Sequence, residues 1–130
     1  MRKPVLPDRP PIRIQRLRTP GWRMPETAIY VGRPTRVGNP YKPVSLGGGV
    51  YGISRQPWWR GTYAEALNLS VHNYRMWLDS LSPWQQATLL AQLRGFDLCC
   101  WCPLVDAHGA PHPCHADVLM ELANREAADA

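Results

Sequence analysis

The sequence has no apolar run of about 18 residues, the length a helix needs to cross a bilayer, so no membrane span is expected. Its basic N-terminus lacks the apolar stretch of a signal peptide, so no secretory leader is expected either. No internal repeat is present, which excludes solenoids and propellers. Cysteine occurs only four times, and three of the four fall at Cys99, Cys100 and Cys102. Such crowding is a poor disulfide framework and suits a reducing, cytoplasmic compartment. No paired carboxylates and no nucleophile triad stand out, so no reaction is fixed by motif alone. Acidic residues are scarce over positions 1–43, where Asp8 and Glu26 face ten Lys/Arg for a net +8. The remainder carries five basic and eight acidic residues, net −3, making the +5 of the chain. A basic half points either to an anionic partner, such as a nucleotide, a nucleic acid or a phosphate, or to a solvated arm that aids solubility.

A chain of 130 residues is expected to form one domain with a modest core. Residues 1–11 contain four prolines and read as an extended or disordered lead. Residues 12–124 read as a single α/β domain and 125–130 as a frayed tail. Ile12–Leu17 alternates apolar and polar, a half-exposed strand. Ala28–Val31 reads as a short buried strand that ends at Gly32. A Gly/Pro-rich loop, Gly32–Pro40, follows, and Gly47-Gly48-Gly49 opens a second flexible stretch to about Gly61. Two capping boxes mark helix starts: Thr62-Tyr63-Ala64-Glu65, and Ser82-Pro83-Trp84-Gln85 with proline at the favoured first position. Tyr63, Leu67, Val71, Tyr74 and Leu78 recur at helical spacing and read as the core face of the first helix, with Ala66, Ser70 and Trp77 beside them. The second helix carries Ala87, Leu90 and Leu93 and should stop at Gly95. Phe96–Cys102 is an apolar run after a helix stop, hence a buried strand. A loop over 103–113 precedes a third helix from about Cys114 to Asn124. The expected fold is a small single-domain sheet of about three strands flanked by three helices.

Soft, ionisable side chains gather at the end of the last strand and the start of the last helix. On a strand Cys100 and Cys102 share one face, with Cys99 and Trp101 on the other. Three readings stay open. Cys100, Cys102, Cys114 and His115 could ligate zinc, although adjacent Cys-His ligands and a Cys-x-Cys pair depart from the usual gaps; His108 and His112 are substitutes. Cys114, at a helix N-terminus, could be an acidic nucleophile with His115 as its base. Alternatively, a non-covalent pocket could use Gly32, Arg33, Arg36, Gly38 and Asn39 as one wall and Cys102, His115 and Asp117 as the other. Here arginines would hold phosphate and Asn39 a base or ribose. Buried cysteines acting as small hydrophobes are the plain alternative. Arg13, Arg16 and Arg18 could grip a nucleic-acid backbone or face solvent. Trp58-Trp59-Arg60, in a polar loop, could be a lid, a stacking platform or a packing plug, and the weight of large aromatics in cores favours the plug.

Several blocks in order resemble a known family: Tyr30-Val31-Gly32-Arg33-Pro34, Gly38-Asn39-Pro40-Tyr41, Leu93-Arg94-Gly95, Cys100-Trp101-Cys102, and Cys114-His115-Ala116-Asp117-Val118-Leu119 with Glu121-Leu122-Ala123-Asn124. They resemble domain-of-unknown-function family 4326, found in bacteriophages and bacteria, over about residues 12–124. Arg16, Arg18, Gly21, Trp22 and Pro25 resemble its phage branch, which would place the protein in a host cytoplasm. The family often carries tryptophan before Gly-Asn-Pro, where this chain has Val37. The Cys-x-Cys strand followed by Cys-His at a helix start is also similar to domain-of-unknown-function family 488, by analogy only. The resemblance implies no assigned activity. The residues themselves favour binding of a phosphate-bearing nucleotide or nucleoside derivative, with possible turnover, between Gly32–Pro40 and Cys100–Cys102 with Cys114–Asp117. The alternative is a zinc-stabilised nucleic-acid-binding module using the basic N-terminal half.

Overall fold

The computed structural model describes residues 3–125 and comprises two small sheets and three helices. The first sheet is formed by β1 (Arg13–Gln15), β2 (Ala28–Tyr30) and β6 (Asp97–Cys100) in the order β1-β6-β2, all parallel. The second is an antiparallel meander of β3 (Pro43–Gly47), β4 (Val50–Ile53) and β5 (Gln56–Gly61). The α/β class holds, with three strands in the central sheet. The meander is a correction: it occupies the stretch read as flexible. Gly47, Gly48 and Gly49 all take positive φ and form the first turn rather than a linker.

Helix α1 (Tyr63–Ser80) and helix α2 (Pro83–Ala91) start at the two capping boxes, with Thr62 and Ser82 accepting the N3 amides. The buried stripe of α1 is Ala66, Ser70, Tyr74 and Leu78, all of them on or beside the face expected, with its centre on the Ala66–Ser70 side. Leu67 and Val71 line a cavity instead, and Tyr63 is exposed. Helix α2 ends four residues before Gly95, which sits at φ +85° in the connecting turn.

β6 is buried at every position because strands flank both its edges and helix α3 (His115–Ala123) packs over it. Val31, Tyr74, Leu78, Leu98, Val118 and Leu119 form the centre of the core; each fully buried aliphatic side chain contributes about 1.5–3 kcal/mol of transfer free energy. The buried Asp97 carboxylate accepts from Arg9 Nη1 and Nη2 (both 2.9 Å), Thr27 Oγ1 (2.6 Å) and the Ile12 amide (2.9 Å). Residues 3–11 form no helix or strand and are pinned through Arg9 and through the Val5 amide on the Glu26 carbonyl. Of the tail expected at 125–130, positions 126–130 lie outside the described residues.

Two further expectations change. Trp58 lies on β5 and is 76 % exposed, so it plugs nothing; an edge strand of the meander holds it outward. Arg13, expected to reach solvent or nucleic acid, turns inward with a side chain only 9 % exposed.

Candidate functional site

Because the central sheet is parallel, the carboxyl ends of β1, β2 and β6 lie on one edge, where ligand crevices of open α/β sheets form. The chain leaving β6 carries Trp101 and Cys102, and the chain leaving β2 carries Gly32 and Arg33. A cavity of about 240 Å³ opens there. Its lining includes Gly32, Arg33 and Asn39 from one motif block and Cys100, Cys102, Cys114 and His115 from the other. Two stretches some 60 residues apart in the sequence thus face one cavity. Lys42, Leu67 and Trp101 complete much of the rest, and among the described residues no Asp or Glu lines the cavity.

The Gly32–Pro40 loop is folded on itself. Thr35 donates to the Gly32 carbonyl through both its amide and its hydroxyl, and the Gly38 amide donates to Thr35. A Cβ at Gly38 would lie 3.0 Å from the Arg33 backbone, so only glycine lets the two limbs meet. Arg33 Nη1 donates to the Asn39 carbonyl at 2.8 Å. The Asn39 side chain is spent internally: Nδ2 donates to Ser70 Oγ (2.9 Å) and Oδ1 accepts the Tyr41 amide (2.9 Å). It shapes the loop rather than offering free groups to a base or ribose. Arg36 is exposed, and Gly38, Arg36 and Asp117 do not line the cavity. Asp117 caps α3 through the Cys114 amide (3.1 Å) and pairs with Arg13 Nε (3.0 Å).

The opposite wall is the sulfur–imidazole cluster. Cys100 Sγ lies 3.9 Å from Cys102 Sγ, and Cys114 Sγ lies 3.7 Å from His115 Nδ1. The ligand atoms of Cys100, Cys114 and His115 all fall within 4.8 Å of one another, a group that can hold a metal ion. Cys114 is the N-cap of α3 with an extended backbone (φ −150°, ψ 148°), whereas His115 begins the helix. This change of backbone conformation brings two adjacent side chains together. His115 Nε2 stands 2.8 Å from the Val31 carbonyl, which fixes Nε2 as the protonated nitrogen and leaves the Nδ1 lone pair toward the sulfurs. Burial holds the imidazole below its ordinary pKa, and so neutral. The thiols share protons: hydrogen bonds from Cys102 and Cys114 pull Cys100 down, while the Cys100 hydrogen bond pushes Cys102 and Cys114 up. At Cys114 the neighbouring thiols and burial push upward, against the downward pull that a helix N-terminus exerts on a thiol. Cys99, on the other face of β6, is pushed up to about 11 by burial. His108 is exposed in a turn and His112 is engaged with Pro113 and Tyr63, so neither joins the cluster.

Sequence reasoning missed Arg13. Its guanidinium donates to the carbonyls of Cys102 (3.2 Å), Pro103 (3.1 Å) and His112 (2.9 Å) as well as to Asp117. It ties both ends of the 103–113 loop to α3, whereas its polar place on an alternating strand pointed outward. Arg16 and Arg18 take another course, with Cζ 5.0 Å and 4.4 Å from the Trp101 ring centroid.

Among the described residues no helix is long and apolar enough to cross a membrane. No curated protein and no solved structure matches the chain. The sequence profile of the family described as Domain of unknown function (DUF4326) matches residues 14–125, a span that takes in both walls of the cavity, and the chain belongs to that family.

Proposed function

We propose that the protein binds a small phosphate-bearing ligand, a nucleotide or nucleoside derivative, in the cavity at the carboxyl edge of the parallel sheet. The supporting observation is the composition of the lining: Arg33 and Lys42 supply positive charge and, among the described residues, no carboxylate opposes them. At about 240 Å³ the space suits a base or nucleoside more than a larger ligand, since sites for drug-sized molecules run from about 300 to 1,000 Å³. Leu67, Val71 and Trp101 offer apolar faces to a base, with the cations near the phosphate. The site is read as a binding site, since Cys114 is 1 % exposed and its sulfur caps α3 through the Ala116 amide. Thermal shift and calorimetry with the nucleoside 5′-monophosphates test this. A ligand at about 100 times its Kd adds about 2.7 kcal/mol of stability, and Arg33→Ala should remove most of the gain. No stabilisation by any monophosphate overturns the reading.

A second reading, the zinc-stabilised nucleic-acid-binding module, draws on the Arg16 and Arg18 guanidiniums stacked at Trp101, which is 36 % exposed. Single strands bind to such arrays by stacking and backbone charge. Affinity for a generic single strand that falls steeply with salt supports it, and no measurable binding at low salt removes it.

A further inference from the structure

We infer that Cys100, Cys102, Cys114 and His115 form a closed, tetrahedral zinc site that fastens the end of β6 to the start of α3. The inference goes beyond the ligand reading and stands on the cluster's own geometry, whatever occupies the cavity.

Bond lengths of about 2.3 Å to sulfur and 2.0 Å to nitrogen give a tetrahedral zinc site sulfur–sulfur edges of about 3.8 Å and sulfur–nitrogen edges of about 3.5 Å. The Cys100–Cys102 sulfur pair at 3.9 Å and the Cys114 Sγ–His115 Nδ1 pair at 3.7 Å already match two such edges. The remaining pairs within Cys100, Cys114 and His115 fall inside 4.8 Å, which small rotamer changes close. Adjacent cysteine and histidine ligands are awkward within one helix or one strand, but the junction between extended Cys114 and helical His115 removes that objection. The imidazole is already fixed for coordination. With Nε2–H on the Val31 carbonyl, Nδ1 carries the free lone pair, and a backbone carbonyl is a usual outer partner of a ligating histidine.

The donor set selects the ion and its role. Three thiols and one imidazole suit zinc over magnesium, calcium or manganese. All four positions are filled by protein, and among the described residues no carboxylate lines the cavity to take a proton from a metal-bound water, so the site is structural rather than hydrolytic. Binding replaces thiol protons by the metal and releases them to solvent. Cys102 is the half-buried member and sits beyond the end of β6, so it is the ligand whose loss leaves the other three in place.

The test uses the full chain, with metal content measured after purification and cobalt(II) substituted for the native ion. The expected result is one zinc per chain, with cobalt giving the strong visible bands of a tetrahedral site and sulfur-to-metal charge transfer. Cys102→Ser should retain cobalt with altered bands and an affinity lower by about tenfold or more. Cys99→Ala, on the opposite face of β6, should leave stoichiometry and bands unchanged. Substoichiometric zinc together with a wild-type protein that binds cobalt without tetrahedral bands overturns the site. Bands and affinity unchanged in Cys102→Ser overturn the fourth ligand. The wild-type spectrum needs no variant to fold, and neither result depends on nucleotide binding.

Discussion

Arg13→Ala is the most informative single substitution for the architecture around the cluster. The side chain is 9 % exposed, and its guanidinium bonds three carbonyls within 3.2 Å as well as the Asp117 carboxylate. Asp117 is exposed, and so are Pro103 and Leu104, so solvent screening makes those contacts worth little. The bonds to the Cys102 and His112 carbonyls are partly buried. At about 1.5 kcal/mol each for a charged donor, their loss costs about 3 kcal/mol. For a chain of this length the unfolding entropy converts that into a fall in Tm of about 10 °C. Arg13→Lys should recover less than half of the loss, because one ammonium cannot span acceptors placed around a planar fork. Urea and thermal denaturation measure both variants. Arg13→Ala melting within about 2 °C of wild type, or lysine serving as well as arginine, refutes the clamp.

Three other expectations follow from the same contacts. Burial pushes the Asp97 carboxyl up, but its bonds from Arg9, Thr27 and the Ile12 amide outweigh this and hold it below the ordinary value. Its stabilisation is therefore complete above about pH 3.9, the unfolded value, and is lost as pH falls through the lower folded value. Denaturant titrations between neutral and strongly acidic pH should show wild type losing more stability than Asp97→Asn, and parallel curves would contradict this. Gly38→Ala should cost about 1–3 kcal/mol by forcing apart the limbs of the Gly32–Pro40 loop, read by chemical denaturation. Trp58→Ser should change stability by less than about 0.5 kcal/mol, because the indole is largely in solvent; a larger drop would show that it packs on something.

The elements with strong local chemistry were legible in the sequence. Thr62 and Ser82 cap their helices as the hydroxyl-x-x-Glu/Gln spacing requires, and the apolar run before Cys100 is the buried central strand. The convergence of Gly32–Asn39 with the Cys/His cluster was anticipated from loop position after a strand, and both line one cavity. The meander was not legible because β3 and β5 are largely exposed, so no alternation of burial marks them, and glycines interrupt the stretch. Arg13 and Asp97 were missed for a different reason. Each is a charged residue buried by partners far away in sequence, and no local pattern encodes a contact across some 85–104 positions. Asn39 lies between the two cases: its block was recognised, but its amide serves Ser70 and Tyr41, a use decided by the packing of α1.

The middle strand of the parallel sheet is also the last of the three to be synthesised, so β1 and β2 wait for a partner made some 70–85 positions later. During translation their backbone edges stay open until Asp97–Cys100 emerges, and the thiols close on the imidazole only once the final helix has followed. Pairings over such distances form slowly. A nascent chain halted before β6 presents unpaired strand edges and half of a binding wall, which makes it a substrate for chaperones rather than a working fragment.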